Sequence, residues 1–339
     1  MIPHSAAAPL PHGGDLAAAR RLFPDAPEPF VDLSTGINPH SYPLPQLPPE
    51  LFTRLPEPSA LDRLAATAAQ AYGAPSPEHV APAPGTQILL PLVAALVAPG
   101  RAAVLAPTYT EHVRVAALVG HRTREVGAIE ELADADLAVV VNPNNPDGRL
   151  AAREELIACA AALRARGGLL VVDEAFMDVG PAGTSLCGGV GLGNIVVLRS
   201  FGKFFGLAGL RLGFALAAAE TATRLKAWLG PWAVAGPAIA VGQAALSDRV
   251  WMEATRASLE RDARRLDELL VAAGLDVVGG TVLFRLVQTT VASELFQHLG
   301  RAGIWVRRFA EQPAWLRFGL PADESAWGRL RAALAAFAR

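Results

Sequence analysis

Ile195-Val196-Val197-Leu198-Arg199-Ser200-Phe201-Gly202-Lys203 is the stretch whose reading decides the fold. Its first residues make an apolar run of strand length, after which the chain turns through Ser and Gly and delivers an isolated lysine. Working outward, similar Val/Leu/Ile/Ala runs stand at 102–106, 137–141 and 169–173, separated by longer Ala/Leu/Arg-rich stretches with helical spacing such as 153–166. Short continuous apolar runs suit strands buried on both faces of a parallel sheet, whose right-handed crossovers are usually helices. The stretch from about 60 to 230 therefore reads as a doubly wound α/β domain with a mostly parallel sheet, its ligand expected at the carboxyl ends of the strands. Beyond it, the spacing predicts one long helical segment from Pro237 to about Ala273. Then come strand-like 281–287, a helix near 291–300, strand-like 304–306 and 315–319, and a terminal helix from about 323, which together predict a smaller α+β domain. The first 40 residues, rich in Pro, Gly and His, read as an arm with a short helix near 15–22. The expected organisation is an arm over 1–41 joining the small domain, a large domain over 42–230, and a linking helix with a small C-terminal domain over 231–339.

Composition limits the functions available. A chain of 339 residues with 52% hydrophobic content can bury a large core. Its formal net charge of −2 comes from scattered charges, so no electrostatic footprint for nucleic acid or an anionic membrane is expected. A small anionic substrate would have to be met by local arginines. Cys159 and Cys187 lie far apart without metal-ligand spacing and read as buried thiols in a reducing compartment. The apolar stretch Ile88 to Ala98 is too short to span a bilayer, and no signal peptide is evident, so a cytoplasmic location is expected.

Three consecutive predicted strands end in side chains that form a chemical set. Strand 137–141 runs into Asn142-Pro143-Asn144-Asn145-Pro146-Asp147-Gly148, a turn-forming cluster. Strand 169–173 ends in Asp173-Glu174-Ala175-Phe176, and strand 195–199 in Ser200-Phe201-Gly202-Lys203. An amide, a carboxylate and an amine thus gather at one sheet edge. Pyridoxal 5'-phosphate needs a lysine for its aldehyde, an acid to keep its pyridine nitrogen protonated, and anchors for its phosphate. Lys203, Asp173, and Ser200 with Arg211 fit those roles. The counts sharpen this reading: the chain holds only two lysines, Lys203 and Lys226, so 30 − 2 = 28 of its basic residues are arginines. A sequence so biased toward Arg keeps Lys where guanidinium cannot substitute chemically, and Lys226, in a helical segment, reads as an ordinary surface lysine.

The run Ser200 to Gly213, with Asp173 and the Asn145-Pro146 pair ahead of it, resembles the fold-type I aminotransferase superfamily, in its histidinol-phosphate aminotransferase branch. His12-Gly13-Gly14-Asp15-Leu16 and Asp32-Leu33-Ser34-Thr35-Gly36-Ile37-Asn38-Pro39 are similar to the threonine-phosphate decarboxylases, a family of cobalamin biosynthesis within that branch. The likeness extends over nearly the whole chain. It implies a Schiff base on Lys203, a bond from Asn145 to the cofactor's phenolic oxygen, a ring stacked on Tyr109, and phosphate contacts from Gly85, Thr86 and Gln87 at a helix N-terminus. Read without the resemblance, Gly85-Thr86 is an ordinary turn and cap and Tyr109 a core aromatic. For the substrate, the resemblance implies that Arg317 forks the α-carboxylate and Arg307 takes the phosphate, with Arg308 as the adjacent alternative because strand alternation sends the two to opposite faces. His12, Gly13, Gly36 and Asn38 would close the pocket, with Asn145 also reaching substrate. A homodimer is implied as well.

The departures from the family pattern are specific. Phe176 stands where aminotransferases of the branch usually have Tyr, as it does in the decarboxylases. Leu55, before Pro56-Glu57-Pro58, stands where relatives often place a cross-subunit tyrosine, and Gly36 where decarboxylases tend to carry Asn. The resemblance therefore implies decarboxylation of L-threonine O-3-phosphate to (R)-1-amino-2-propanol O-2-phosphate. A histidinol-phosphate-type transamination remains the alternative and a non-catalytic cofactor-binding module the remote one.

Overall fold

The computed structural model describes residues 13–337. Its strands are β1 (Val31–Leu33), β2 (Val80–Ala83), β3 (Arg101–Leu105), β4 (Arg122–Val126), β5 (Leu137–Val141), β6 (Leu169–Asp173), β7 (Ile195–Ser200), β8 (Gly213–Leu216), β9 (Asp276–Thr281), β10 (Phe284–Gln288), β11 (Ile304–Arg308) and β12 (Trp315–Gly319). They form two sheets, and the chain divides into two compact units. One unit takes 13–36, 262–278 and 283–337 of the described residues; the other takes Ile37–Arg261 with Gly279–Val282.

The larger unit is built on a seven-stranded sheet ordered β2-β8-β7-β6-β5-β3-β4. Its centre, β3, β5, β6 and β7, is parallel, in register Val141↔Asp173 and Asp173↔Leu198, while β8 runs antiparallel to both β2 and β7. Every residue of β5, β6 and β7 is buried, the reason these strands appear in sequence as unbroken apolar runs. The helices Thr86–Ala94 and Glu111–Leu118 pack Leu89, Leu90, Val93, Val115 and Ala116 against Val104, Val139, Val171 and Leu198 of the sheet. At about 25 cal/mol per Å² of apolar surface removed from water, this core is the principal stabilising contribution of the unit.

The smaller unit carries a five-stranded sheet ordered β1-β11-β12-β10-β9, with β1 parallel to β11 and β12 antiparallel to β10 and β11. The helix Ala292–Arg301 lays Leu295, Phe296 and Leu299 into its core, and Phe296 meets Trp305 and Phe23.

One predicted element divides. The segment expected as one helix from Pro237 is two, Gly236–Ser247 and Arg249–Ala272, separated at Asp248. The Asp248 carboxylate accepts from the Trp251 backbone N–H at 2.9 Å, so its side chain caps the start of the second helix. Among the described residues no helix is long and apolar enough to cross a membrane.

Candidate active site

The larger unit gathers its chemistry at the carboxyl ends of β5, β6 and β7. Asp173, the last residue of β6, is buried, and its two oxygens have separate partners. Oδ1 accepts from the Ala175 N–H at 3.0 Å, and Oδ2 lies 2.9 Å from His112 Nε2. The contact with the imidazole and the bond from the Ala175 N–H together fix the aim of the carboxylate. His112 is itself buried in the helix Glu111–Leu118, one turn beyond Tyr109, and the two rings meet edge-on at 5.9 Å. The sequence reading did not include His112; its three-residue spacing from Tyr109 at a helix start was the available signal.

Lys203 lies in the one-turn helix Phe201–Phe204, half-buried, with Nζ 5.7 Å from the centre of the Phe176 ring. Ser200 closes β7 and pairs with Gly213 of β8. Gly213 in turn lies so close to the helix Thr86–Ala94 that a Cβ there would fall 2.7 Å from the Thr86 nitrogen. Gly85 has φ +87°, and a Cβ on it would lie 2.5 Å from Arg211 Nη2. Arg211 adopts the left-handed backbone conformation (φ 54°), with Nη1 donating to Ala208 O at 3.0 Å. Gly85, Thr86, Ser200, Arg211 and Gly213 therefore form one cradle of backbone N–H, hydroxyl and guanidinium at a helix N-terminus, suited to an anion. Glycine is required at 85 both by the left-handed backbone and by the guanidinium beside it.

Tyr109 Oη donates to Gln87 Oε1 at 3.1 Å, and Gln87 Nε2 donates to Glu111 Oε2 at 2.7 Å, so Gln87 orients the tyrosine ring. In the turn after β5, Asn142 and Asn144 are buried and committed to local bonds with Ala151, Pro107 and Asp147. Asn145 is the asparagine of the three that keeps partial exposure.

Asn38 is placed differently from the expectation. It is 1% exposed, its Nδ2 donates to Phe204 O at 2.8 Å and its Oδ1 accepts from the His40 N–H at 2.8 Å. Both ends of the amide are thus engaged against the turn that carries Lys203, which leaves the side chain no free atom for a substrate.

The smaller unit holds the arginine set. Arg307 and Arg317 are direct cross-strand partners in the antiparallel pair β11–β12, and paired residues project on the same face. Arg308 goes to the other face, its guanidinium 4.7 Å above the Phe296 ring, so the alternation separates the two candidates and puts Arg307 beside Arg317. Arg317 is buried, with Nη2 donating to Ser34 O at 2.9 Å. Burial and then the Arg307 charge push its guanidinium down to about 9, while Asp32 acts in the opposite direction. Ser34 also receives the N-terminal glycines: Gly14 N–H donates to Ser34 Oγ at 2.8 Å, and a Cβ on Gly13 would fall 2.4 Å from Ser34 O. Gly36, buried, follows two residues later. His12 lies outside the described residues.

A second buried network was not anticipated. Arg199, 4% exposed inside β7, donates to Glu174 Oε2 at 3.1 Å and to Asp178 Oδ1 at 2.6 Å, and its guanidinium lies 4.3 Å from the Tyr72 ring centre. Glu174 also accepts from Ser185 Oγ and the Leu186 N–H. Burial and the Asp178 charge push the Tyr72 phenol well up, and burial beside Glu174 pushes the Cys187 thiol to about 12, so neither group is a nucleophile at neutral pH.

The profile of the aminotransferase class I and II family matches residues 49–333. A threonine-phosphate decarboxylase of Pseudomonas aeruginosa is 45% identical over 331 residues, covering 97% of this chain and 98% of its own length. A threonine-phosphate decarboxylase of a Sinorhizobium species is 42% identical over 336 residues, with 97% and 98% covered. Among solved structures, histidinol-phosphate aminotransferase of Sinorhizobium meliloti in complex with pyridoxal 5'-phosphate superposes with a TM-score of 0.82 at 22% identity, covering 99% of this chain and 98% of that one. That likeness concerns the fold.

Proposed function

The chain belongs to the aminotransferase class I and II family, and from that premise we propose that it is a pyridoxal-phosphate enzyme that decarboxylates L-threonine O-3-phosphate to (R)-1-amino-2-propanol O-2-phosphate. The observation that carries the substrate is the Arg307–Arg317 pair. Two cations side by side on one sheet face, one of them buried, call for an anion, and a phosphorylated amino acid brings both a carboxylate and a phosphate. The choice of decarboxylation rests on near-full-length identity to two threonine-phosphate decarboxylases and on Phe176.

The residues present fit the cofactor, since the glycines at 85 and 213 let the Arg211 guanidinium and the Thr86 backbone nitrogen come close together at the helix N-terminus, where a phosphate dianion would bind. When bound, pyridoxal phosphate supplies an aldehyde for an amine and a protonated ring that accepts the electron pair left at the substrate's α-carbon. Lys203 provides the amine. Asp173, oriented by His112 and the Ala175 N–H, holds the proton on the ring nitrogen. Gly85, Thr86, Ser200 and Arg211 bind the phosphate; Tyr109, oriented by Gln87, stacks on the ring and Asn145 meets the phenolic oxygen and the substrate. Arg317 would fork the α-carboxylate and Arg307 would take the substrate phosphate, with Gly13 and Gly36 near them in the same unit. The bond from Cα to the carboxylate breaks, CO2 leaves, and Cα takes one proton, so no oxo acid acceptor is consumed. Arg317 and Arg307, by fixing the carboxylate and the phosphate of the substrate, would decide which bond at its α-carbon breaks.

A cytoplasmic homodimer completes the proposal. Leu44, Phe52, Leu55 and Trp232 are each more than half exposed, and Gly236, four residues past Trp232, touches Leu51 beside Phe52. Apolar exposure of this kind marks an interface. Sedimentation showing an active monomer would reject it.

The deciding experiment incubates the holoenzyme with L-threonine O-3-phosphate and no oxo acid while CO2 and aminopropanol phosphate are followed. Many turnovers of both are expected. Arrest after one equivalent per site, together with sustained turnover of histidinol phosphate plus 2-oxoglutarate, would overturn decarboxylation in favour of transamination.

A further inference from the structure

The helix that carries Lys203 is a single turn, Phe201–Phe204, too short to hold itself together. The last carbonyls of a helix have no partner within it, and a buried carbonyl left without one costs about 1–3 kcal/mol. Here Lys203 O accepts one longer local bond, from the Gly206 N–H at 3.2 Å, and the four consecutive carbonyls from Lys203 onward are all met by one distant segment. Asn38 N–H donates to Lys203 O at 2.9 Å, Asn38 Nδ2 to Phe204 O at 2.8 Å, Tyr42 N–H to Phe205 O at 2.9 Å and Ser41 Oγ to Gly206 O at 2.9 Å. The fit is close: Gly206 has φ +67°, and a Cβ on it would fall 2.6 Å from Asn38 O and 2.8 Å from Ser41 Cα. Tyr42 is pinned edge-on to Phe205 at 6.4 Å and to Trp251 at 5.0 Å, and Trp251 stacks on Phe205 at 5.7 Å.

We propose that residues 38–42 are a positioning strap that sets the place of the Lys203 backbone, with Asn38 as its positioning residue. The strap supplies what the one-turn helix lacks. As the residue that would hold the cofactor through its amine and give way to the substrate's amine, Lys203 needs a side chain that can move on a backbone that stays fixed. A misplacement of about 1 Å can cost roughly a hundredfold in rate without weakening substrate binding. Asn38 secures two adjacent carbonyls, one through its backbone and one through its side chain, and its Oδ1 bond to the His40 N–H holds the amide in the donating orientation. Alanine removes the side-chain bond; aspartate keeps the acceptor for His40 but sets a second acceptor against Phe204 O.

The proposal rests on Lys203 as the cofactor lysine, so the holoenzyme is first reduced with borohydride and its labelled peptide mapped. A label on another residue sinks that reading and the strap with it. With the label on Lys203, Asn38→Ala and Asn38→Asp are compared with wild type for kcat, KM, the pH midpoint of the visible cofactor band without substrate, and amide hydrogen exchange over 201–207. The expected result is kcat lower by about tenfold to a hundredfold with KM within about threefold, a displaced midpoint, and exchange over 201–207 faster by about tenfold. An unmoved midpoint with unmoved exchange overturns the strap while Lys203 keeps its role. Should the Asn38 variants fail to fold, Ser41→Ala, which loses one bond from an exposed side chain, must still speed exchange at 204–207, and unchanged exchange there overturns the proposal equally.

Discussion

Arg307→Ala should damage the enzyme far more than it changes the stability of the protein without substrate, because relief of the repulsion from Arg317 is offset by loss of the contact between the Arg307 guanidinium and the Phe309 ring at 5.6 Å. Arg307 and Arg317 are cross-strand partners on one face, and like charges placed directly opposite each other destabilise a sheet by about 0.2–1 kcal/mol. Two unit charges about 6 Å apart at an effective dielectric of about 20 would repel by roughly 3 kcal/mol, but Arg307 is only half-buried, and solvent screening brings the figure back to the lower range. The downward push on Arg317 by Arg307 records the same repulsion. Its removal alone should raise Tm by no more than about 0.3–1.4 °C for a chain of this size. The loss on the substrate side is larger, since a charge-assisted hydrogen bond to phosphate contributes about 1.5–3 kcal/mol, or roughly 10- to 150-fold in KM. Thermal unfolding without substrate, and steady-state kinetics with L-threonine O-3-phosphate, read the two effects separately. Arg308→Ala is the matched control: it loses the contact with Phe296 and should lower Tm while leaving KM near its normal value. A less stable Arg307→Ala protein with unchanged KM would refute the reasoning, because the pair would then be structural.

Lys203→Ala should abolish the visible absorption of the holoenzyme and nearly all turnover, whereas Lys226→Ala, at a half-buried helix position, should leave both close to normal. His112→Leu should slow turnover by roughly tenfold or more with little change in KM, because Asp173 loses its orienting partner, as measured by kcat against KM. Binding of an inert dianion such as inorganic phosphate should weaken as pH rises through about 9. Burial and the Arg307 charge hold Arg317 below its ordinary range, so its positive charge is lost there first, and dye-displacement titrations at pH 7 and above 9 measure the change. The matching sign for stability is a gain as pH climbs from about 9 toward the ordinary arginine value, where the unfolded chain binds the extra proton.

The central sheet was legible because its strands are buried on both faces: β5 and β6 carry no charged side chain before Asp173, and their runs match the predicted segments. The strands missing from the sequence reading fail that criterion for different reasons. β4, Arg122–Val126, is an edge strand with mostly exposed polar residues; β2 contains Pro82; and β8 is the tail of the lysine motif, where the glycines read as loop. Asp248 was invisible as a break because helical spacing continues on both sides of it, and only the capping bond to Trp251 separates the two helices. The side chains that end strands were legible as a set because strand ends deliver function in α/β folds. His112 was not, since its importance lies in a contact 61 residues away, and neither was the commitment of Asn38 to the carbonyl of Phe204.

Arg199 shows how one strand edge serves two purposes. Successive residues on a strand point to opposite faces, so Asp173 and Glu174 diverge, as do Arg199 and Ser200. One face receives Asp173 with His112, and Ser200 with the phosphate cradle. The other receives Glu174, Arg199 and Asp178, all nearly or fully buried. Arg256 Nε, from the helix Arg249–Ala272, donates to the Asp178 backbone carbonyl at 2.7 Å and so ties the loop that carries Asp178 to that helix. The salt bridges fasten the loop after β6, which carries Phe176 below Lys203, to the strand that ends in Ser200. Removing one member of such a group strands buried charge, which costs about 3–5 kcal/mol, whereas replacing all members with apolar residues of similar volume is often neutral. Arg199→Ala should therefore lower the urea midpoint by an amount equivalent to about 3–5 kcal/mol, and Arg199→Met combined with Glu174→Met and Asp178→Leu should recover part of it. If the network serves only stability, the recovered triple variant regains kcat as well. If it also holds Phe176 and Ser200 at their places around the cofactor, stability returns while kcat stays low, and the buried charges are there for position.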